Sequence, residues 1–335
     1  MQHITIVGLG LIGGSIGMAL RRWSAENGNA LRITGFDQDI DKQNLAKRMA
    51  AVDDTSWSLT DAVKDADVVI IATPVGAMKQ VFADIAPHLK EGAIVTDTGS
   101  TKSDVLEWAK ALPQHVSFVG GHPMAGKSES LEAATADLFK DATWVVSPGV
   151  TASETAIRNV LGLIAAVDAE AFFADPAEHD SYVAGISHLP MVVAAALVRA
   201  ATADQSWRDM RTLASTGFKD TTRLALGSPE MHRDISMTNR AALGRWIGQM
   251  IDTLEAFRAD LADPDEDAAR QRIHAFFTEA QDQRARAESV PKRSAEQGLD
   301  TNESLKKENI GESMSRMFLG GLGKRRQQDG RRGRG

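Results

Sequence analysis

The sequence predicts an α/β fold, with a doubly wound parallel sheet in the N-terminal half and an all-helical C-terminal domain after it. Three observations predict this. Short apolar runs alternate with helical stretches over the first half, these runs stop near Asp175, and the first of them opens into a G-x-G-x-x-G. In order, the strand candidates are HITIVG (3–8), RITGFD (32–37), DVVIIAT (67–73), AIVTD (93–97), VSFVGG (116–121), TWVVSP (143–148) and AEAFF (169–173). Near-continuous apolar runs suit strands covered on both faces, and helices between them imply parallel crossovers.

Beyond Asp175 the apolar residues take a helical period. In AALGRWIGQMIDTLEAFRADL, Leu243, Trp246, Ile247, Met250, Leu254 and Phe257 recur three and four residues apart, along one helix face. SHLPMVVAAALVRAA and AARQRIHAFFTEAQDQRAR are further stretches of this kind. Faces so apolar in a small domain need a partner. A second copy is expected, giving a homodimer through the C-terminal helices, with an intramolecular bundle as the alternative. The expected domains are therefore 1–174, 175–287 and a disordered basic tail over 288–335, which ends in GKRRQQDGRRGRG without periodicity. Within the tail, SMSRMFLGGLG is apolar enough to dock and the arginines suit RNA or an acidic membrane surface, although a solvated tail without a specific role is the plainer reading.

Composition narrows the function. A chain of 335 residues, 43% of them hydrophobic, can bury the cores of two domains. Without cysteine it has no disulfide, thiolate metal site or thiol nucleophile. Residues 292–335 carry 11 Lys/Arg against 6 Asp/Glu, leaving 27 basic and 39 acidic residues before them, so the folded body is not expected to bind nucleic acid. No run approaches the roughly 20 consecutive apolar residues of a membrane span. The opening HITIVGLG lacks the charged leader and cleavage pattern of a signal peptide, and a cytoplasmic location away from membranes is expected.

In the segment ITIVGLGLIGGSIGMALRR each glycine of the motif has a physical reason. Gly8 makes the tight turn, Gly10 lets the backbone approach a pyrophosphate, and Gly13 allows close helix–strand packing. Leu11 and Ile12 open the helix whose free N–H groups and positive dipole end receive the phosphates. Asp37 closes the second strand about 24 residues after Gly13, where a carboxylate accepts from the adenosine ribose hydroxyls and repels a 2′-phosphate. Gln38, Asp39 and Ile40 supply no arginine for that phosphate. Strand, glycines, helix and acid together define a Rossmann-type domain for NAD rather than NADP. Glycines that serve only a tight turn are the competing reading.

The third strand ends in ATPVGAM, with Thr73 and Pro74 on the floor beside the cofactor, in a packing role. The fourth ends in VTDTGSTK and brings Asp97, Ser100 and Lys102 to the carboxyl edge, where ligands of open α/β sheets bind; helix capping competes as an explanation of Ser100 and Lys102. GGHPMAG follows the fifth strand and sets His122 on that edge, near Ser100 and the nicotinamide end. A neutral imidazole there suits a general base that accepts a substrate hydroxyl proton while hydride leaves the same carbon. A lone histidine is more often structural, so its neighbours matter.

Those neighbours carry a resemblance. GLGLIGGS (8–15), DTGSTK (97–102), GGHPMAG (120–126), DPAEHD (175–180), ISHLP (186–190) and FKDTTRLALGSPEMHRDI (218–235) together resemble the prephenate/arogenate dehydrogenase family of tyrosine biosynthesis, in that family's order from Met1 to about Arg286. The resemblance implies an NAD-dependent oxidative decarboxylation of prephenate or arogenate, driven by aromatisation of the ring, with no metal. It implies that His122 bonds the ring hydroxyl, that Ser100 orients this histidine and the nicotinamide, and that His188 and Arg223 hold the substrate. Lys219 and Asp220 are expected to gate or frame the site, from this chain or the partner subunit. A guanidinium offers a planar fork to a carboxylate. His179 reads as structural, at the domain junction.

After GGHPMAG the chain departs from the family pattern with Lys127, Ser128 and Glu129. A lysine near the substrate side chain disfavours the ammonium of arogenate. Prephenate is therefore the expected substrate, with arogenate or dual specificity as alternatives. A β-hydroxyacid dehydrogenase would use a catalytic lysine in its helical domain and leaves GGHPMAG and SHLP unexplained. A non-catalytic NAD-binding sensor would tolerate loss of His122.

Overall fold

A computed structural model of the chain describes residues 1–126 and 129–289. Lys127 and the basic tail, with its SMSRMFLGGLG island, lie outside the described residues. The described residues form two compact units, Met1–His179 and 180–289.

The first unit alternates strands and helices: β1 Gln2–Val7, α1 Leu11–Glu26, β2 Leu31–Phe36, α2 Ile40–Arg48, β3 Asp54–Thr55, α3 Leu59–Val63, β4 Val68–Ile71, α4 Val75–Ile85, β5 Ile94–Asp97, α5 Ser103–Trp108, β6 Ser117–Pro123, β7 Thr143–Pro148, α6 Glu154–Ala166 and β8 Glu170–Phe173. The described strands form one sheet in the order β3-β2-β1-β4-β5-β6-β7-β8. The expected class holds. Chain order reverses at β1, between β2 and β4, so a crevice opens at the carboxyl ends of these strands. Ile4, Ile6, Ile33, Val68 and Ile70 fill the strands and pack with Ile16, Ala19 and Leu20 of α1. β3 has only two residues, too few to show as an apolar run.

One strand corrects the expectation of a wholly parallel sheet. β7 runs antiparallel to β6, with Gly121 opposite Val146 and His122 opposite Val145. A parallel return needs a crossover along the sheet face, usually a helix, whereas here Met124 N–H donates to Thr143 O at 2.8 Å, so β7 begins where β6 ends, and the described residues 129–142 dock on α1. Leu131 is buried where a Cβ on Gly14 would collide with it, and Thr135 N–H donates to Ser15 Oγ at 3.0 Å. Arg22 bonds Asp137, which holds the Asp137 carboxyl below the usual carboxylate range. The chain then re-enters the sheet from the same edge. Pairing with β7 also carries β6 two residues past the expected end at Gly121, so His122 lies in the strand rather than after it.

The second unit holds the second half of α7 (Pro176–Val183) and all of α8 Leu189–Thr202, α9 Trp207–Leu213, α10 Thr216–Thr222, α11 Pro229–Thr238, α12 Arg240–Leu261 and α13 Glu266–Ser289. The chain is helical without a break from Pro176 to Thr202, through a π-helical turn at Ala184–His188 that leads into α8. Pro190 accounts for the turn, because its ring crowds the carbonyl four residues back, at Ile186, and a wider turn relieves this. By length and composition the Pro176–Thr202 run could cross a bilayer. Trp246 of α12 donates its Nε1–H to Ser181 O at 3.1 Å and covers Gly185, where any Cβ would strike the indole. Along the predicted α12 face Leu243 is buried, Leu254 is exposed, and Phe257 packs with Phe276 and Phe277 of α13.

Candidate active site

The turn after β1 is built for a close ligand. Gly8 has φ +100°, and a Cβ there would sit 2.7 Å from the Ala72 carbonyl carbon. At Gly13 a Cβ would run into the Gly8 carbonyl oxygen, so helix and strand meet only through glycine. Gly10 has open space on its Cβ side. α1 starts there without a side-chain cap, and the N–H groups of Leu11, Ile12 and Gly13 precede the first helical bond, from Gly14 N–H to Gly10 O at 2.9 Å. By contrast α2, α3 and α6 are capped by Asp39, Ser58 and Ser153. Uncapped N–H groups at an open glycine fit a pyrophosphate.

Asp37 lies just past β2. Its Oδ2 accepts from Leu9 N–H at 2.8 Å and its Oδ1 from Asp39 N–H at 2.9 Å, while Gln43 donates to its carbonyl at 2.7 Å. The carboxylate thus ties the glycine turn to the end of β2, a role the sequence did not reveal. A carboxylate has about four acceptor positions, so two backbone bonds leave capacity for ribose hydroxyls. Thr73 and Pro74 stand between β4 and α4, and Thr73 Oγ1 is buried with no hydrogen-bond partner among the described residues. An orphaned hydroxyl on this floor is the kind of group a bound cofactor would satisfy.

One strand further, Asp97 and Lys102 form a fully buried ion pair. Asp97 Oδ2 also accepts from Gly99 N–H at 2.8 Å and Oδ1 from Gly121 N–H at 3.0 Å. Neither residue is an edge group awaiting a ligand, and Lys102, at the N-cap position of α5, makes no side-chain capping bond. The pair clamps the β5 carboxyl end to β6, one residue before His122. Ser100 is half-buried on the connection between β5 and α5.

His122 is buried, and its Nδ1 lies 2.9 Å from Nε2 of His179 on α7, with the rings edge to face. His179, read from the sequence as structural, is thus a direct partner of His122. When His122 Nδ1–H is the donor of this bond, His122 Nε2 carries the lone pair, the tautomer a general base needs; when His179 Nε2–H donates, Nε2 of His122 holds the proton.

In the second unit His188 is buried, its Nδ1 3.1 Å from Asn239 Nδ2, which also donates to Asp180 O at 2.7 Å. Asn239 was missed because it lies 51 residues from His188. Arg223 opens an exposed turn, Arg223–Leu226, that packs on α8, and Lys219 and Asp220 are exposed on α10.

A dinucleotide-type glycine turn and a held histidine on the same sheet edge define a nucleotide-dependent dehydrogenase class. Family comparison makes this specific. Residues 16–172 match the model of the prephenate dehydrogenase nucleotide-binding domain, and residues 175–278 that of the prephenate dehydrogenase dimerization domain. The chain is 33% identical over 285 residues to prephenate dehydrogenase of Bacillus subtilis (strain 168), covering 84% of this chain and 75% of that one. It is 30% identical to cyclohexadienyl dehydrogenase of Zymomonas mobilis, over 79% of this chain and 90% of that one. A crystal structure of Aquifex aeolicus prephenate dehydrogenase in complex with hydroxyphenyl propionate and NAD+ superposes with a TM-score of 0.78 at 27% identity, covering 86% of this chain and 98% of that one. The chain belongs to the prephenate dehydrogenase family.

Proposed function

We propose that the protein is an NAD+-dependent prephenate dehydrogenase, which converts prephenate to 4-hydroxyphenylpyruvate and carbon dioxide. The observation that carries this is the His122–His179 pair, on the same sheet as a glycine turn fitted to a dinucleotide, in a chain of this family. NAD+, when bound, supplies a hydride acceptor. Gly8, Gly10, Leu11, Ile12, Gly13, Asp37, Thr73 and Pro74 would hold it. His122 Nε2 takes the ring hydroxyl proton, and His179 steadies the ring through Nδ1. Ser100 orients this histidine, His188 and Arg223 hold the substrate, and Lys219 and Asp220 gate or frame the site, as the resemblance implies. Lys127, on the connection after GGHPMA, disfavours an ammonium on the substrate and turns the choice from arogenate to prephenate.

The two-substrate assay tests this reading. NAD+ reduction is expected with prephenate, and a strong preference for arogenate would replace it with the alternative. Arg223→Ala is expected to raise the substrate KM by tenfold or more, on the order of the 1.5–3 kcal/mol of a charge-assisted bond, with the KM for NAD+ unchanged. Asp37→Ser should relax discrimination against NADP+. It should also lower affinity for NAD+, because the bond to Leu9 N–H is lost or weakened. An unchanged NADP+/NAD+ ratio would show that Asp37 does not face the ribose.

We further propose that the protein works as a cytoplasmic homodimer. The domain match supports the partner, and exposed Tyr182, Ile186 and Leu197 on the Pro176–Thr202 helix supply an apolar face for it.

A further inference from the structure

Trp57 is 87% exposed, unusual for an indole, and lies between β3 and α3. The backbone beside it is fixed. Thr55 is in register with Gly35, and Ser56 N–H continues the ladder by donating to Gly35 O at 3.1 Å. Ser56 Oγ then donates to Ser58 O at 2.9 Å, and Ser58 caps α3. Trp57 follows two residues after the Gly35–Thr55 pair and Asp37 two residues after it on β2, so both lie just past the carboxyl ends of adjacent strands. Trp57 therefore stands on the carboxyl edge that carries the glycine turn.

Strand order gives this position a meaning. From β1 outward, the glycine turn follows β1, Asp37 follows β2 and Trp57 follows β3. A dinucleotide with its pyrophosphate at the α1 N-terminus and its adenosine ribose at Asp37 has its purine next in line. A purine offers a π-face, and an indole on a pinned backbone offers another at little entropic cost. Resting on the NAD+ reading, we propose that Trp57 is a cofactor-positioning residue that stacks on the adenine base.

The test is calorimetric titration of the full-length protein and its Trp57→Ala and Trp57→Phe variants with NAD+, ADP-ribose and nicotinamide mononucleotide, together with steady-state kinetics. Trp57→Ala should weaken NAD+ and ADP-ribose at least about fivefold, the lower end for base–aromatic stacking, and leave nicotinamide mononucleotide unchanged. Its KM for NAD+ should rise while kcat and the substrate KM hold. Trp57→Phe should restore most of the affinity. Equal ADP-ribose affinity in wild type and Trp57→Ala, or equal weakening of ADP-ribose and nicotinamide mononucleotide, would overturn the stacking role and leave the NAD+ reading intact. A wild-type protein that binds neither NAD+ nor ADP-ribose would overturn both.

Discussion

Replacing His122 by alanine or asparagine is expected to lower kcat by about a hundredfold or more, the usual contribution of a positioned general base, with NAD+ affinity within about twofold of wild type. His122 belongs to β6, where pairing with Val145 of β7 and the bond from Gly121 N–H to Asp97 set the backbone without help from the imidazole. The substitution should therefore remove proton transfer and little else. His179→Leu should keep the fold yet lower kcat by a smaller factor, because the remaining imidazole loses the partner that selects its tautomer. Stopped-flow hydride transfer and an equilibrium NAD+ titration check both variants. Cofactor binding lost together with turnover would contradict the assignment.

Lys102→Met is expected to destabilise the first unit by about 3–5 kcal/mol, the cost of leaving a buried carboxylate without its cation. Asp97 and Lys102 are both fully buried, so solvent cannot take over. The exposed Arg158–Glu154 pair on α6 makes the contrast, since Arg158→Ala should cost no more than about 0.5 kcal/mol. Urea denaturation followed by tryptophan fluorescence measures each. Asp97 also accepts the N–H of Gly121, so Lys102→Met should disturb the strand at His122 and lower turnover even where the protein remains folded. A loss below about 1 kcal/mol would mean that the pair is hydrated.

The nucleotide half of the site was legible because its parts are close in sequence. G-x-G-x-x-G and Asp37 lie on consecutive strands, and glycine chemistry dictates the turn. His122 was found through its motif, yet its partner was not. His179 sits in DPAEHD, a segment visible as a motif, but its approach to β6 is a tertiary fact separated by 57 residues. The direction of β7 was hidden for another reason, since an apolar run reports burial and not polarity. The missing helical period over 124–142 was the available signal. Asp97 and Lys102 looked like edge or cap residues because spacing says nothing of burial.

The antiparallel return of β7 has an evolutionary corollary. A stretch that leaves and re-enters a sheet at one edge can be exchanged between relatives as a cassette, with strand order left as it is. The sequence between β6 and β7 includes Lys127, Ser128 and Glu129, the positions at which it leaves the family pattern it resembles. The graft has a compatibility rule. A donor sequence with a side chain like Leu131 must meet glycine at 14, and the hydroxyl of Ser15 must find an N–H like that of Thr135. Drift in substrate preference within this lineage would then leave its trace as paired changes in the loop and on the first helix.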